Sequence, residues 1–369
     1  MQNLEIKKTN WARLHVIVIA FLLFVNWNCK PRALETKIIN PPNIIFMIGD
    51  GMGLAQISMA IEHAQDNLAF AKCKHMGFIK TKSIDDYITD SAAGATAFAT
   101  GHKTQNTRIS TDTNGRELPT LFEMAIKRNW LTALVVTSSI THATPACFYA
   151  HEDSRYSNLA IAQDFLGSNV NYAIGAGKPY FDSLPDFNIP FAVGFDNFNN
   201  MNQNRWMGFY NEDSTYVDPV LKGGEGFLPK STGLILDLLS EKKKSFMLMI
   251  EGSQIDWAGH DNNVKYMLAE FADFDDSIAA AIEFAKQDKE TLILVTADHA
   301  TGGLVLQKPR GSSVRAQWTT TSHDLSSINI YAYGPGAEKF SGVMDNTEIF
   351  DRMLQALDYE NLDSNNCVD

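Results

Sequence analysis

Four short apolar runs punctuate the chain, Ile44–Ile48, Leu134–Thr137, Phe246–Ile250 and Leu292–Thr296, and each stops abruptly at polar residues. A strand covered on both faces reads as a continuous apolar run, because neither side of its pleat meets water, so these runs predict buried parallel strands. The segments Leu54–Ala64, Leu118–Arg128 and Met267–Lys286 carry helical patterns between them. Strands alternating with helices predict an α/β fold: a doubly wound, mostly parallel central sheet flanked by helices. Ligands of such sheets gather beyond the carboxyl ends of the strands, where Asp50, a Ser-rich turn, Glu251 and Asp298 fall. Residues 193–216 break the rhythm, being rich in Asn and aromatics without a period. They predict a long surface excursion, whether a cover over the body, a substrate lid or a subunit contact. The pattern as a whole predicts one domain over residues 40–360.

The amino terminus stands apart. Lys7, Lys8 and Arg13 precede an apolar run from Val16 to Val25, the arrangement of an export signal and too short to span a bilayer as a helix. The run leads to Cys29, so residues 1–29 read as a signal peptide, a lipoprotein signal with a lipid anchor at Cys29, or an uncleaved anchor. Asn26, Trp27 and Asn28 are bulkier than the small residues usual before a lipid-modified cysteine. All three readings export the body, leaving it periplasmic or membrane-anchored.

Charge and composition then exclude classes. With 43 acidic against 31 basic residues in 369, a formal charge of −12, the chain is a poor partner for the phosphate backbone of nucleic acid. A hydrophobic content of 45% excludes a disordered chain. Cys29, Cys73, Cys147 and Cys367 show no CxxC spacing, which predicts neither a disulfide framework nor a thiolate metal site. Cys147, inside ATPACFYA, reads as a small buried hydrophobe.

Candidate chemistry lies in five separated segments, each weak alone. In IGDGMG, Asp50 closes a strand and the glycines allow a sharp turn. In DYITDSAAGATAFATG, Ser91 follows Asp90 and is either a helix cap or a nucleophile in the positive field of a helix start. THATPACFYAHEDSR offers His142, the Thr144 hydroxyl and Arg155, whose planar fork suits either a surface ion pair or a tetrahedral oxyanion. In EGSQIDWAGH, Asp256 and His260 stand four apart and so share one face of a helix, with Glu251 at a strand end. Asp298, His299 and the later His323 add a carboxylate and two imidazoles. Together these donors match a three-metal cluster, two four-coordinate zinc sites and one oxygen-rich magnesium site.

In order and spacing these motifs, with TADH and the closing YAYGPGA, resemble the alkaline phosphatase family over residues 43–337. The resemblance implies that Asp256, His260 and His323 hold a first zinc, that Asp50, Asp298 and His299 hold a second beside Ser91, and that Asp50, Thr144 and Glu251 hold magnesium. It implies Ser91 as nucleophile, Arg155 as phosphate clamp oriented by Asp90, and hydrolysis of phosphate monoesters through a phosphoserine in a homodimeric enzyme. His142 and Trp257 occupy positions near the third metal or the phosphate where some members carry Asp and Lys. Both are therefore candidate substrate contacts, and a histidine there opens the third site to zinc. After His323 the chain reads Asp-Leu where Thr-Gly is common in the family; His323 is retained as a ligand.

Only 23 residues separate His299 from His323, too few for the crown-like domain of animal members, which implies a compact bacterial-type enzyme. The alternatives are a metal-dependent phosphodiesterase or sulfatase of the wider superfamily, and an exported phosphate- or metal-binding protein. Ser91 together with Arg155 favours a doubly charged terminal phosphoryl group, and neither the nucleophile nor any ligand is missing.

Overall fold

The computed structural model describes residues 43–64, 68–311 and 313–356. The candidate signal and Cys29, and also Cys367, lie outside the described residues. Ten strands form the central sheet: β1 (Asn43–Gly49), β2 (His75–Lys80), β3 (Leu131–Ser139), β4 (Tyr172–Ala176), β5 (Phe191–Val193), β6 (Trp206–Phe209), β7 (Phe246–Gly252), β8 (Thr291–Thr296), β9 (Ile328–Tyr333) and β10 (Gly342–Asp345). Their order is β10-β2-β9-β8-β1-β7-β3-β4-β6-β5. All neighbours are parallel except β9, which runs antiparallel to both β2 and β8. The four apolar runs form the centre, β8-β1-β7-β3, in which every residue is buried.

The parallel register of β1 and β7 pairs Ile48 with Glu251 and Gly49 with Gly252, so both strands deliver their terminal carboxylates to one end of the sheet. Five helices matter for the site: α1 (Leu54–Ala64), α2 (Ser91–Thr100), α3 (Phe227–Glu241), α4 (Gln254–His260) and α5 (Val264–Asp288). α5 packs against α1, α3 and α4, while α2 packs in a second group with Ala143–Ala146, Leu121–Lys127 and Glu348–Ala356. Every residue of α2, SAAGATAFAT, is buried. A helix buried all round is mostly apolar, with the Thr96 and Thr100 hydroxyls donating to the Arg108 and Thr96 carbonyls, and its alanines and glycine let neighbours approach closely. Phe98 of α2 meets Phe46 of β1 edge-on at 5.4 Å, which seats the helix on the sheet.

Residues 193–216 depart from the expected excursion. Val193 ends β5, Phe195–Phe198 is a short helix, and Trp206–Phe209 is β6, fully buried between β4 and β5. A four-residue strand in an Asn-rich context is too short to leave a period, which is why the pattern hid it. Among the described residues, the link from His299 to His323 holds a small ribbon, Val305–Gln307 against Arg315–Gln317, and the pairing of Ala300–Thr301 with His323–Asp324, with no crown-type insertion. Cys147 is fully buried, and burial pushes its thiol up to about 12.

Candidate active site

The strand ends assemble the site. Beyond β1 the chain turns through Asp50 and Gly51, whose φ of +70° lies in the left-handed region. A side chain at Gly51 would bring its Cβ within 2.6 Å of the Asp256 Cα, so glycine is needed both for the turn and for the approach of α4. β7 carries Glu251 as its penultimate residue and leads into α4, which presents Asp256 and His260 one turn apart. After β8 come Asp298 and His299, and then Ala300–Thr301 pairs antiparallel with His323–Asp324. That pairing lays the His323 ring over His299, with centroids 3.5 Å apart.

Nitrogen and oxygen atoms of these side chains converge at nearly one spacing. His260 Nε2 lies 3.2 Å from Asp256 Oδ2, and His323 Nε2 lies 3.6 Å from Asp256 Oδ1. His299 Nε2 lies 3.1 Å from Asp298 Oδ2 and 3.5 Å from Asp50 Oδ1. Ligands bound at zinc distances in a tetrahedron stand about 3.3 Å from one another. Three groupings place their donor atoms within 4.8 Å: Asp256, His260 and His323; Asp50, Asp256 and His299; and Asp50, His142 and Glu251.

Outer partners fix the rings. His260 Nδ1 meets the Thr321 carbonyl at 2.6 Å, His323 Nδ1 the Thr89 carbonyl at 2.9 Å, and His299 Nδ1 the Thr301 hydroxyl at 3.2 Å. A carbonyl can only accept, so Nδ1 of His260 and of His323 carries a proton and Nε2 is the nitrogen turned inward, the one a bound cation would take, the arrangement of a metal-ligating histidine. Thr301 in turn donates to Asp256 at 2.5 Å.

Buried oxygens of the same cluster lack hydrogen-bond partners: Asp50 Oδ1, Asp298 Oδ2, Glu251 Oε1 and the Thr144 hydroxyl. Their second oxygens, where present, are engaged. Asp298 Oδ1 accepts from the Gly51 and His299 amides, and Glu251 Oε2 from Ser253 and Ser138. A buried carboxylate oxygen without a donor is costly in protein alone and is a natural ligand for a cation.

The electrostatics agree. Burial, with Asp298, Asp256 and Glu251 nearby, pushes the Asp50 carboxyl well above its ordinary range, and burial lifts Glu251 to about 7 against the pull of the Ser253 hydroxyl. Burial also pushes Asp256 up, but the His260 hydrogen bond and the three imidazoles outweigh it and hold it low. Asp256 raises His260 to about 9, whereas burial and the His299 charge bring His323 down to about 4. Four carboxylates, Asp50, Glu251, Asp256 and Asp298, are buried together here. The donor set fits oxygen- and nitrogen-preferring divalent metals.

Ser91 opens α2 with its hydroxyl 3.4 Å from Asp50 Oδ2 and 3.3 Å from His299 Nε2. Asp90 caps the helix through Oδ1 to the Ala93 amide at 3.0 Å, while its Oδ2 accepts from Arg155 Nη1 at 2.9 Å and from the Thr107 amide at 3.0 Å. Arg155 Nη2 stands 3.4 Å from His142 Nε2. Burial, reinforced by the Arg155 charge, takes His142 down to about 3, so its ring is neutral and accepts from the guanidinium. Trp257 lies edge-on to His142, centroids 6.2 Å apart, and Tyr216 lies edge-on to Trp257 at 5.5 Å.

All thirteen residues singled out in the sequence thus lie in one connected cluster. The sequence reading missed Ser138, Ser253, Thr301 and Tyr216. The Ser and Thr hydroxyls sit two to four residues from named candidates, and that proximity was their only signal.

Comparison with known proteins places this geometry. The alkaline phosphatase family profile matches residues 42–181, 199–317 and 308–359. Alkaline phosphatase 3 of Bacillus subtilis is 32% identical, over 86% of this chain and 89% of its own. The solved alkaline phosphatase of the Antarctic bacterium TAB5 superposes with a TM-score of 0.81 at 36% identity, over 87% of this chain and 99% of that one. A TAB5 variant with a histidine replaced by aspartate, solved with magnesium in its M3 site, gives 0.80 at 35% identity, over 86% and 98%. The chain belongs to the alkaline phosphatase family.

Proposed function

We propose that this enzyme hydrolyses phosphate monoesters to alcohol and inorganic phosphate, with Ser91 carrying the phosphoryl group between two half-reactions. The observation that carries the reading is the Ser91 hydroxyl, buried at the first residue of α2 and within 3.4 Å of both Asp50 and His299, on the helix whose cap also holds Arg155. Asp256, His260 and His323 would hold one zinc, Asp50, Asp298 and His299 a second, and Asp50, Thr144 and Glu251 a magnesium. His142, neutral and beside that last set, opens it to zinc as well. Bound there, the metals supply Lewis-acid stabilisation of the oxygens around phosphorus and lower the pKa of the attacking hydroxyl.

The chain's own residues do the rest. Ser91 Oγ forms a bond to phosphorus as the ester oxygen leaves with its electron pair, and the positive end of the α2 dipole favours both the alkoxide and the phosphoserine. Asp90 takes one edge of the guanidinium, which keeps the Arg155 fork oriented and leaves the N–H groups that neither Asp90 nor His142 engages for phosphoryl oxygens. Water then cleaves the phosphoserine and restores the Ser91 hydroxyl. The TAB5 variant that holds magnesium in its M3 site carries aspartate in place of a histidine, which supports a third metal site in this fold and leaves its ion to the metal titration. The basic and apolar residues before Cys29 support export, to the periplasm or to a membrane through a lipid or an uncleaved signal, and the family resemblance supports a homodimer.

The test uses the full chain on an aryl phosphate monoester and the matching diester, with and without zinc and magnesium. Metal-dependent cleavage favouring the monoester is expected, with Ser91→Ala losing at least ~10³-fold in turnover while keeping its metals. Preference for the diester, or undiminished turnover in Ser91→Ala, contradicts the reading.

A further inference from the structure

A line of planar groups leads outward from the guanidinium. Arg155 meets His142, His142 and Trp257 lie edge to face, and so do Trp257 and Tyr216, which is 44% exposed. An exposed tyrosine on a loose loop would mean little, but this one stands on a pinned backbone. The next residue, Val217, is buried; its amide donates to the Thr137 carbonyl at 3.0 Å and its carbonyl accepts from Gln254 Nε2 at 2.7 Å. Gln254 is held by the Tyr266 hydroxyl at 2.6 Å, and Thr137 Oγ1 accepts from the Ser253 amide at 3.0 Å. Ser253 is the residue whose hydroxyl holds Glu251. On the other side, the Ser214 carbonyl accepts from the Gly177 amide, and the buried Lys178 ties down Glu212 at 2.9 Å. The structure spends these contacts on fixing an aromatic ring at the rim.

Resting on the phosphomonoesterase reading above, we infer that Tyr216, with Trp257, forms a leaving-group platform that selects monoesters whose alcohol carries a flat aromatic or heterocyclic ring, such as aryl phosphates and nucleoside monophosphates. The charged groups engage only the phosphoryl end, which every monoester shares. Selectivity therefore has to come from what the organic part touches, and an uncharged aromatic rim offers stacking and dispersion, which a planar group uses and a short polyol does not. The phosphoserine has already lost the leaving group, so its hydrolysis is blind to Tyr216. The residue acts on kcat/KM and not on a kcat limited by the second half-reaction. Inorganic phosphate has no organic part and binds without it.

The experiment compares wild type, Tyr216→Ala and Tyr216→Phe on adenosine 5′-monophosphate and on glycerol phosphate, with inorganic phosphate as competitive inhibitor and thermal unfolding as a check of folding. Tyr216→Ala is expected to lower kcat/KM for the nucleotide about two- to twelve-fold, with glycerol phosphate turnover, phosphate inhibition and melting temperature unchanged. Tyr216→Phe is expected to keep the nucleotide preference, because the ring and not the hydroxyl does the stacking. An equal loss on both substrates, or an unaltered ratio in Tyr216→Ala, overturns the platform while leaving the phosphomonoesterase reading intact. Failure of the metal-loaded wild type on both monoesters removes that reading and the platform with it.

Discussion

Two groups of buried acids in this molecule invite comparison. Asp50, Glu251 and Asp298 sit at the carboxyl ends of β1, β7 and β8, while Glu270, Asp273 and Asp275 sit along α5. Burial raises Asp50 and Glu251 in the first group and all three in the second, to about 7 for Glu251 and Glu270 alike and to about 6 for Asp273. Their partners differ. On α5 these three carboxylates receive backbone amides: Glu270 from Val220 at 2.7 Å, Asp273 from Gly226 at 2.7 Å, and Asp275 from Ala69 at 2.6 Å and Phe70 at 3.1 Å. At the strand ends each acid keeps one oxygen without a donor, beside histidine nitrogens whose outer proton is already committed. Burial alone therefore does not distinguish a metal site from a loop anchor; the orphaned oxygen does.

The sharpest way to break this distinction is the same isosteric change in both groups. Asp298→Asn should lose one metal equivalent per chain and reduce monoester turnover at least ~10²-fold. Asp273→Asn still accepts the Gly226 amide and should keep the full metal complement, with turnover within about twofold of wild type. Equal metal loss in the two variants would erase the contrast.

A smaller effect separates the groups by pH. Because burial raises Glu270 to about 7 in the folded chain, the folded state holds its proton more tightly than the unfolded state does, and the contribution to stability is fully present below the unfolded value and falls as pH rises through about 7. Glu270→Gln removes this fall. Its stability relative to wild type should increase between pH 5 and 8 by an amount on the order of 1 kcal/mol, read from denaturant unfolding across that range. A difference between the two proteins that stays constant with pH contradicts the assignment.

The sequence carried much of this because chemistry and burial leave different marks. The central strands were legible since double-sided burial writes an unbroken apolar run, as in Ile44–Ile48. Asp256 and His260 were legible since helical spacing puts residues four apart on one face. β6 left no such mark, being four residues among asparagines. The antiparallel course of β9 depends on which edge of β8 remains free, a property of the assembled sheet. The carbonyls of Thr89 and Thr321, which orient His323 and His260, belong to the backbone and carry no residue identity at all. Tyr216 lay within a segment read as surface cover, and only the pinning of Val217 gives its position meaning.

The central claim is that the orphaned oxygens and inward-facing imidazoles at the strand ends are metal ligands on which monoester hydrolysis depends. The most direct measurement strips the full-length protein with a chelator, then titrates zinc and magnesium back while metal content and turnover of an aryl phosphate monoester are followed together. The account predicts that activity is lost on stripping and returns in step with about three bound ions per chain. Full turnover in the stripped protein, or refilling of the sites without recovery of activity, would contradict it.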